Sequence, residues 1–237
     1  MLVGKMMRET LISCLPKGGR VIEIGVAEGV FSASILQTAQ PARLHLVDPW
    51  IHQDNPEYVA DKNNVDDATN EDRHRGVLEK FAPEIECGAV QVHRGFSKEV
   101  LPEFPDGYFD WAYVDAMHTR DAVLEDLRLV WPKVKEDGFI LGHDYSNGPH
   151  ARALGFGVVE GVRDFLDESK GVIVAVTMLL ENYPSYALAK SMHSGIRPFA
   201  EQFLLKAEAV VEIRSRNPDY QHKVAKIGDT VVAFPSF

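Results

Sequence analysis

The stretch VIEIGVAEGVFSASILQ, residues 21–37, decides the fold of this chain. It opens with a short apolar run, turns at Gly25 and Gly29, and continues from Phe31 with apolar residues at helical spacing. Because glycine lacks a Cβ, such a turn can adopt unusual backbone angles and let a ligand approach the main chain closely. The stretch therefore predicts a strand, a tight turn and a helix, with a ligand held at the turn.

Further apolar runs repeat this pattern along the chain. Strands are predicted in ARLHLVDPW (42–50), GAVQVHRG (88–95), YFDWAYVDA (108–116) and GFILGHDY (138–145), and helices in TRDAVLEDLRLVWPKV (119–134) and VVEGVRDFLDES (158–169). This alternation indicates an α/β protein with a doubly wound, mostly parallel sheet covered on both faces. Two more runs, GVIVAVTMLL (171–180) and SYALAK (185–190), are so close that only a hairpin can join them. We therefore expect an antiparallel strand at the sheet edge.

The composition is that of a globular protein with one sizeable core. The chain has 237 residues, of which 45% are hydrophobic and 25% are charged. We expect a single domain over 1–237 with its core at about 18–190. A net charge of −10 argues against nucleic acid as a partner, since phosphate backbones are bound by clustered Lys and Arg. Cys14 and Cys87 are the only cysteines, which excludes a disulfide scaffold but leaves a single bridge between them open.

The apolar segments also bear on localisation. Residues 1–19 contain Lys5, Arg8 and Glu9 among their apolar side chains, unlike the uninterrupted hydrophobic core of a signal peptide. No later run reaches the length of a membrane span. We therefore expect a cytoplasmic protein without a membrane partner, and whether it forms a homo-oligomer is left open.

Two segments interrupt the rhythm of strands and helices. Residues 52–75 are polar and acidic without a clear period, and form either a solvated insertion or a lid over the site. The extension over 198–237 begins with the helical pattern FAEQFLLKAEAVVEI (199–213) and ends with the strand-like DTVVAFPSF (229–237). Insertions and tails of this kind set substrate specificity, so the pattern does not reveal the identity of the substrate.

The charges around the glycine turn indicate which ligand it holds. Glu23-x-Gly25-x-x-x-Gly29 is neither the Gly-x-Gly-x-x-Gly of dinucleotide-binding proteins nor a phosphate-binding loop with Gly-Lys-Ser/Thr. Glu23 and Glu28 are unfavourable beside a pyrophosphate but suit a ligand with a sulfonium and an ammonium, which indicates S-adenosylmethionine. Asp48, at the end of the second strand, is placed to accept hydrogen bonds from both ribose hydroxyls.

With these residues in place, the sequence resembles the class I S-adenosylmethionine-dependent methyltransferases, in particular small-molecule O-methyltransferases such as macrocin O-methyltransferase. The resemblance rests on VIEIGVAEG, LHLVDPW, GFSKEVLPEF and FDWAYVDAMHTRDAVLEDLRLVWPKVKEDGFILGHDY, and covers roughly residues 18–190. It implies a Rossmann-like sheet of seven strands with the last one antiparallel. It also implies an adenine pocket lined by Gly95, Phe96 and Ser97, although Ser97 is equally a candidate N-cap for the following helix. The predicted cofactor-binding residues are Glu23, Gly25, Ala27, Gly29, Asp48, Pro49, Phe96, Ser97 and Asp115.

A second group of polar residues marks the expected reacting end. Asp115 ends the fourth strand with His118 three residues on, and His143, Asp144 and Asn147 follow the fifth. Because the carboxyl ends of parallel strands meet at one edge of a sheet, these side chains should converge beside the glycine turn. Methyl transfer from a sulfonium is an in-line displacement, so the protein must align the acceptor and help to remove a hydroxyl proton. Asp144, His143 and His118 are therefore the predicted catalytic residues.

Two routes for removing that proton remain open. In the first, Asp115, His143 and Asp144 hold Mg²⁺ or a similar divalent cation, which would lower the pKa of a coordinated hydroxyl. Resemblance to the catechol-type O-methyltransferases supports Asp115 as a ligand, but those enzymes carry Asp-Asn where this chain has His143-Asp144. In the second, His143 or His118 is a general base without a metal. Purely structural roles are also open for two of these residues: Asp115 orients the methionine end of the cofactor or caps a helix, and His118 starts a helix and makes a backbone hydrogen bond.

Three functions are compatible with these residues. The first is methyl transfer to a hydroxyl of a small molecule, such as a sugar or a natural-product glycoside. Trp50, Tyr58 and Tyr145 would form an apolar wall for this acceptor unless they belong to the core. The second function keeps the cofactor and methylates nitrogen. The third is a binding protein that retains the cofactor site without turnover, which the intact Glu23 and Asp48 argue against.

Overall fold

The structure is a computed structural model, which describes residues 1–236 apart from 57, 60, 179–182, 215–218 and 228–229. The α-helices are α1 (Arg8–Ile12), α2 (Val30–Ala39), α3 (Asp67–Lys80), α4 (Ala82–Glu86), α5 (Ser97–Val100), α6 (Arg120–Val130), α7 (Pro149–Ala153), α8 (Val158–Glu168) and α9 (Ile196–Lys206). The strands are β1 (Leu2–Lys5), β2 (Arg20–Ile24), β3 (Arg43–Asp48), β4 (Val90–Arg94), β5 (Phe109–Val114), β6 (Val134–Gly142), β7 (Val172–Met178), β8 (Tyr186–Ala189), β9 (Val210–Glu212), β10 (Gln221–Ile227) and β11 (Thr230–Ser236).

In the part of the chain that the structure describes, the main sheet has nine strands in the order β4-β3-β2-β5-β6-β8-β7-β1-β9, so the predicted number of seven is wrong. The seven expected strands are β2 to β8, and they occupy one continuous block of the sheet. The two additional strands come from the ends of the chain: β1 pairs in parallel with β7, and β9 pairs antiparallel with β1. With four and three residues they are too short to show an apolar period in the sequence.

The antiparallel strand of the predicted hairpin is present, but not at the edge. β8 pairs antiparallel with β6 on one side and with β7 on the other, and therefore lies inside the sheet. The edge expected there is extended by β1 and β9. The last residues of the predicted first strand and part of the connection, residues 179–182, lie outside the described residues.

Apolar side chains pack on both faces of the sheet, as the alternating pattern predicts. One core cluster contains Leu11 of α1, Phe31 of α2 and Phe203 of α9. The other contains Leu127 of α6 and Phe165 of α8. The helices thus leave the carboxyl ends of the parallel strands as the place where loops and polar side chains gather.

The insertion over 52–75 holds more regular structure than its sequence indicates, because α3 begins within it. Asp66 caps this helix by accepting a hydrogen bond from the main-chain N–H of Thr69 at 2.8 Å. Only Asn70 and Val77 of α3 are buried, which explains why no apolar period is visible. Whether the segment acts as a lid stays a prediction.

The carboxy-terminal extension divides into three pieces. The helix predicted over 199–213 is α9, which ends at Lys206, and the last part of that pattern forms β9 instead. β10 and β11 pair as an antiparallel hairpin in a sheet of their own. The strand predicted over 229–237 corresponds to β11, and its first and last residues lie outside the described ones. The single-domain organisation stays a prediction, and none of the described helices has the length and apolarity needed to cross a membrane.

Candidate active site

The turn after β2 brings the main chain against the end of β5. A Cβ added to Gly25 would lie 2.1 Å from the main-chain oxygen of Asp115, and the φ of Gly25 is +89°. Ala27 follows with a φ of 48°, a left-handed conformation that is strained for a residue with a Cβ. The close approach explains why glycine is required at position 25, as the sequence predicts.

Asp48 holds this turn from the end of β3. Its Oδ2 accepts hydrogen bonds from the main-chain N–H groups of Val26 and Ala27 at 2.9 and 3.0 Å, and its Oδ1 accepts one from that of Trp50 at 2.8 Å. A carboxylate has about four acceptor positions, so Asp48 can fix the turn and still accept from a ligand hydroxyl. Its ribose-binding role stays a prediction, to which the structure adds a role in the turn itself.

Glu23 lies beneath the turn with only 1% of its surface exposed. Its carboxyl accepts a hydrogen bond from the Ser32 hydroxyl on α2, and burial raises the pKa of Glu23 to about 8. Burial therefore favours the uncharged form of this carboxyl, whereas a cation beside it, as Arg8 already is, favours the negative charge assigned to it from the sequence.

A cavity of about 610 Å³, called here the cofactor cavity, runs along the carboxyl ends of β4, β3, β2 and β5. The predicted cofactor-binding residues that line it are Glu23, Gly25, Ala27, Asp48, Pro49, Phe96, Ser97 and Asp115, together with Gly95. Gly29 is not among its lining residues. It precedes α2 with a φ of 66°, and an added Cβ would lie 2.9 Å from the ring of Phe81, so packing explains this glycine.

The end of the cofactor cavity beside β4 contains a buried acid that the sequence analysis did not single out. Ser97 donates its hydroxyl proton to Asp126 of α6 instead of capping α5, whose N-cap is Phe96. Asp126 is 7% exposed, and burial raises its pKa to about 6. The Ser97 hydroxyl therefore does not cap α5, and its role in the adenine pocket stays a prediction.

A second cavity, called here the acceptor cavity, adjoins the first and has a volume of about 1210 Å³. Arg8, Asn63 and Asp115 line both cavities. His118, His143 and Asp144 line the acceptor cavity, so the structure brings the predicted reacting-end residues to one place.

His118 lies between two carboxylates. Its Nε2 is 2.9 Å from Oδ2 of Asp144, and its Nδ1 is 3.3 Å from Oδ2 of Asp61. Although burial lowers it, the close contacts with the carboxylates of Asp144 and Asp61 raise the pKa of His118 to about 10. Burial raises the pKa of Asp144, but the hydrogen bond from His118 outweighs it and holds that pKa below its usual value. Asp144 also adopts a left-handed conformation, with a φ of 56°, as residues at functional sites often do.

The same side chains form the group that could hold a metal ion. Among the described residues, Asp115, His118 and Asp144 each offer a ligand atom within 4.8 Å of the others. His143, which the sequence analysis placed in this set, has its Nδ1 2.9 Å from the Ser185 hydroxyl. The structure thus puts His118 with the two carboxylates, and a ligand role for His143 stays a prediction.

Asn147, expected at the reacting end, is turned to the carboxy-terminal extension. Its Nδ2 donates to the main-chain oxygen of Tyr220, and its Oδ1 accepts from the N–H of His222, both at 2.9 Å. The His222 side chain lines the acceptor cavity. Asn147 therefore fixes the first residues of β10 beside that cavity.

The three aromatic residues considered as an acceptor wall separate in the structure. Tyr58 lines the cofactor cavity. Trp50 and Tyr145 are 1% and 2% exposed and belong to the two core clusters. Phe156, which was not predicted, lines the acceptor cavity with its ring centroid 4.5 Å from that of His118.

Two charged residues of the site were missed from the sequence. Asp61 belongs to the acidic insertion, where no spacing distinguishes it from its solvated neighbours. Arg8 belongs to the amino-terminal segment, in which no site residue was predicted. Both reach the site through tertiary packing, so no local pattern could have shown them.

A mostly parallel sheet with this strand order, a glycine turn after β2 and a cavity along the carboxyl ends of its strands define a class I S-adenosylmethionine-dependent methyltransferase fold. The family model described as a methyltransferase domain matches residues 22–145, which is more than half of the chain. The chain belongs to this family of methyltransferases. No curated protein matches the sequence significantly.

Solved structures agree on the fold at low sequence identity. A tRNA methyltransferase from B. subtilis has a TM-score of 0.50 and 13% identity, with 78% of this chain and 66% of that chain covered. Spermidine synthase from Thermotoga maritima has a TM-score of 0.52 and 13% identity, with 84% and 62% covered. A Streptococcus mutans protein described as a methyltransferase, in complex with SAH, has a TM-score of 0.52 and 10% identity, with 77% and 95% covered. The chain thus spans less than two thirds of the first two proteins, and these similarities show the fold alone.

Proposed function

We propose that the protein transfers a methyl group from S-adenosylmethionine to a hydroxyl of a small molecule. The observation that carries this proposal is the position of Asp115, which lines both the cofactor cavity and the acceptor cavity. His118 and Asp144 lie at this junction, on the acceptor side. A methyl donor in one cavity and an acceptor in the other would meet beside groups that can take up a proton.

The size and lining of the acceptor cavity support a small molecule. Its volume of about 1210 Å³ is slightly above the usual range for small-molecule sites, roughly 300–1,000 Å³, which suits a glycoside. The ring of Phe156 lies 4.5 Å from that of His118 and 5.2 Å from that of Tyr183, and offers a surface for the apolar face of a sugar. The net charge of −10 supports the same choice over a polynucleotide.

The cofactor supplies a methyl group on a positively charged sulfur, and the residues of the cofactor cavity align it. In this proposal Asp48 holds the ribose, and Glu23 and Asp115 face the cationic methionine end. Burial raises the pKa of Glu23, and a sulfonium or ammonium beside it would favour its ionised form. Because the turn is held rigidly by Asp48, the cofactor is placed without further reorganisation of the main chain.

In this proposal the Asp144 carboxylate of the Asp144–His118 pair takes up the proton of the acceptor hydroxyl. His118 donates to Asp144 and lowers the pKa of its carboxyl, so Asp144 alone is a weak base. Asp115, His118 and Asp144 would hold a divalent cation, which would displace the His118 proton to solvent and lower the pKa of a coordinated acceptor hydroxyl. The donor set of two carboxylates and one imidazole fits such an ion, with Mg²⁺ favoured by the oxygens. Amine acceptors need less help of this kind, so the pair supports a hydroxyl over a nitrogen acceptor.

Calorimetric titration tests the proposal first. The protein is titrated with S-adenosylmethionine and with S-adenosylhomocysteine, each with Mg²⁺ and with EDTA. Micromolar binding of both ligands supports the cofactor site, and methyl transfer to sugar hydroxyls that EDTA abolishes supports the metal-assisted route. Transfer to amines alone would contradict the hydroxyl acceptor. Binding without transfer to any acceptor would favour a non-catalytic protein, and absence of binding would overturn the proposed function.

A further inference from the structure

Arg8 is the cation that the tertiary structure adds to the reacting end of the cofactor cavity. It begins α1, directly after β1, which is anchored in the sheet by parallel pairing with β7. Its side chain is 23% exposed and lines both cavities. The pairing of β1 therefore places the guanidinium over the carboxyl ends of β2 and β5.

The contacts of Arg8 fix its position relative to the glycine turn. Its Nη1 donates to Oδ2 of Asp115 at 3.1 Å, and its guanidinium lies 4.3 Å from the centroid of the Phe31 ring in the first turn of α2. Its charge also acts on the buried Glu23. Arg8 thus lies beside both acids that the proposed function assigns to the methionine end.

We propose that Arg8 binds the carboxylate of the methionine moiety of S-adenosylmethionine and thereby selects the complete amino acid end of the cofactor. This inference rests on the proposed function and names the partner of one group of the ligand. Arginine presents several N–H donors in a planar fork that matches a carboxylate, which a single ammonium does not.

The charges of the cofactor cavity show why this partner is needed. Its described acidic lining residues are Glu23, Glu28, Asp48, Asp115, Asp121, Glu125 and Asp126. Such a lining attracts a sulfonium and an ammonium but repels a carboxylate. Of the described basic lining residues, Lys98 lies over Phe96 at the adenine end, and Arg73 is paired with Glu28. Arg8 is the one that contacts Asp115.

The ion pair between Arg8 and Asp115 then holds the positions that the two charged groups of the methionine end take up on binding. Within this pair each group partly neutralises the charge of the other. When the methionine end binds, its carboxylate takes the guanidinium and its ammonium takes the Asp115 carboxylate, so one ion pair is replaced by two. A ligand with an amine but no carboxylate gains only the second of these contacts.

The test compares two ligands on Arg8 variants of the full chain. Decarboxylated S-adenosylmethionine keeps the adenosine, the sulfonium and the amine but lacks the carboxylate. We expect Arg8→Gln to weaken binding of S-adenosylmethionine about 10- to 100-fold, the range for losing a hydrogen-bonded charged partner. Binding of the decarboxylated ligand should stay within about twofold of wild type or tighten, because Asp115 is released. Arg8→Lys should recover part of the affinity for the complete cofactor.

Arg197→Gln is the matched control, since Arg197 is 88% exposed and paired with Glu201 on α9. It should change neither affinity, and thermal unfolding of both Gln variants checks that each is folded. Equal weakening of both ligands by Arg8→Gln, or no weakening of either, would overturn the carboxylate role. If wild-type protein bound neither ligand, the proposed function itself would fail, which is a different result from the loss of selectivity.

Discussion

The Nε2 of His118 lies 2.9 Å from Oδ2 of Asp144, and this contact joins the loops after β5 and β6. The two side chains are held apart from bulk solvent, with 13% and 8% of their surfaces exposed. A charged hydrogen bond in such a place is worth more than one in water, because solvent competes less for either partner. The contact therefore both shapes the acceptor cavity and sets which of the two groups carries a proton.

Replacing Asp144 should stop turnover and leave the cofactor site intact. Asp144→Asn removes the charge that receives the proton, so we expect the rate of methyl transfer to fall about 10²- to 10⁴-fold. Affinity for S-adenosylmethionine should change by less than about twofold, since Asp144 lines only the acceptor cavity. Asp72→Asn, at an exposed surface pair with Arg75, is the control and should keep full activity. Full activity of Asp144→Asn would remove this residue from the mechanism.

Replacing Asp48 should lower both the affinity for the cofactor and the stability that the turn contributes to the fold. Asp48→Ala removes the ribose partner and leaves the N–H groups of Val26 and Ala27 without their acceptor. We expect cofactor binding to weaken by about 1 to 3 kcal/mol, with a loss of similar size in the free energy of unfolding. Calorimetric titration and urea unfolding measure the two effects separately. Unchanged affinity together with reduced stability would restrict Asp48 to the turn.

Alanine substitutions at Gly25 and Gly88 distinguish the cost of a steric clash from the cost of a left-handed backbone conformation. Both have a positive φ, +89° and +78°, but an added Cβ meets the Asp115 main chain only at Gly25 and has no neighbour within 4 Å at Gly88. Gly88→Ala should therefore cost only the left-handed conformation, about 1 kcal/mol. Gly25→Ala should cost several kcal/mol or abolish cofactor binding, since the strand end must shift. Equal effects of the two variants on urea unfolding and cofactor affinity would contradict this difference.

The lowered pKa of the buried His45 predicts that the folded protein loses stability in acid. It is 1% exposed, its Nδ1 lies 3.0 Å from Nε2 of His93, and its Nε2 is buried without a hydrogen-bond partner in the described part of the chain. Burial, followed by the charge of His93, lowers the pKa of His45 from 6.5 to about 4. Because the folded protein binds this proton less readily than the unfolded chain, the stabilisation is full above pH 6.5 and is lost as the pH falls toward 4.

The variant His45→Phe isolates this effect, since it fills a site lined by Phe104, Tyr108 and Phe109 without titrating. Between pH 7 and pH 4, wild type should lose on the order of 3 kcal/mol relative to the variant. Urea unfolding at both pH values gives the difference. His150→Gln, at an exposed position, should lose stability in parallel with wild type. A parallel loss in His45→Phe would mean that other groups cause the acid sensitivity.

Replacing Asn147 should weaken binding of the acceptor and leave binding of the cofactor unchanged. Asn147→Ala breaks both hydrogen bonds that hold Tyr220 and His222, so the start of β10 should open more often. We expect faster hydrogen exchange at the His222 N–H and a several-fold rise in KM for the acceptor. Affinity for S-adenosylmethionine should not change. Unaltered exchange at residues 220–222 would show that other contacts hold the extension.

Local sequence patterns predicted the central elements of the fold correctly. The run from Val21 to Ile24, the glycines after it and the helical spacing from Phe31 each express a local preference, and the structure has β2, the turn and α2 there. β1 and β9 were not predicted, because strands of three or four residues show no apolar period. Their stability comes from pairing with β7 and with each other. The interior position of β8 likewise follows from pairing and not from the hairpin itself.

By itself, the sequence determined the class of fold, the glycine turn and the acids at the strand ends, because each depends on residue type and short-range spacing. Only the tertiary structure decided that His118 pairs with Asp144, that Asp61 and Arg8 enter the site, and that Asn147 leaves it. These contacts join residues between 26 and 107 positions apart in the chain. Their geometry is set by how the whole sheet and its insertions pack, and no local preference encodes it.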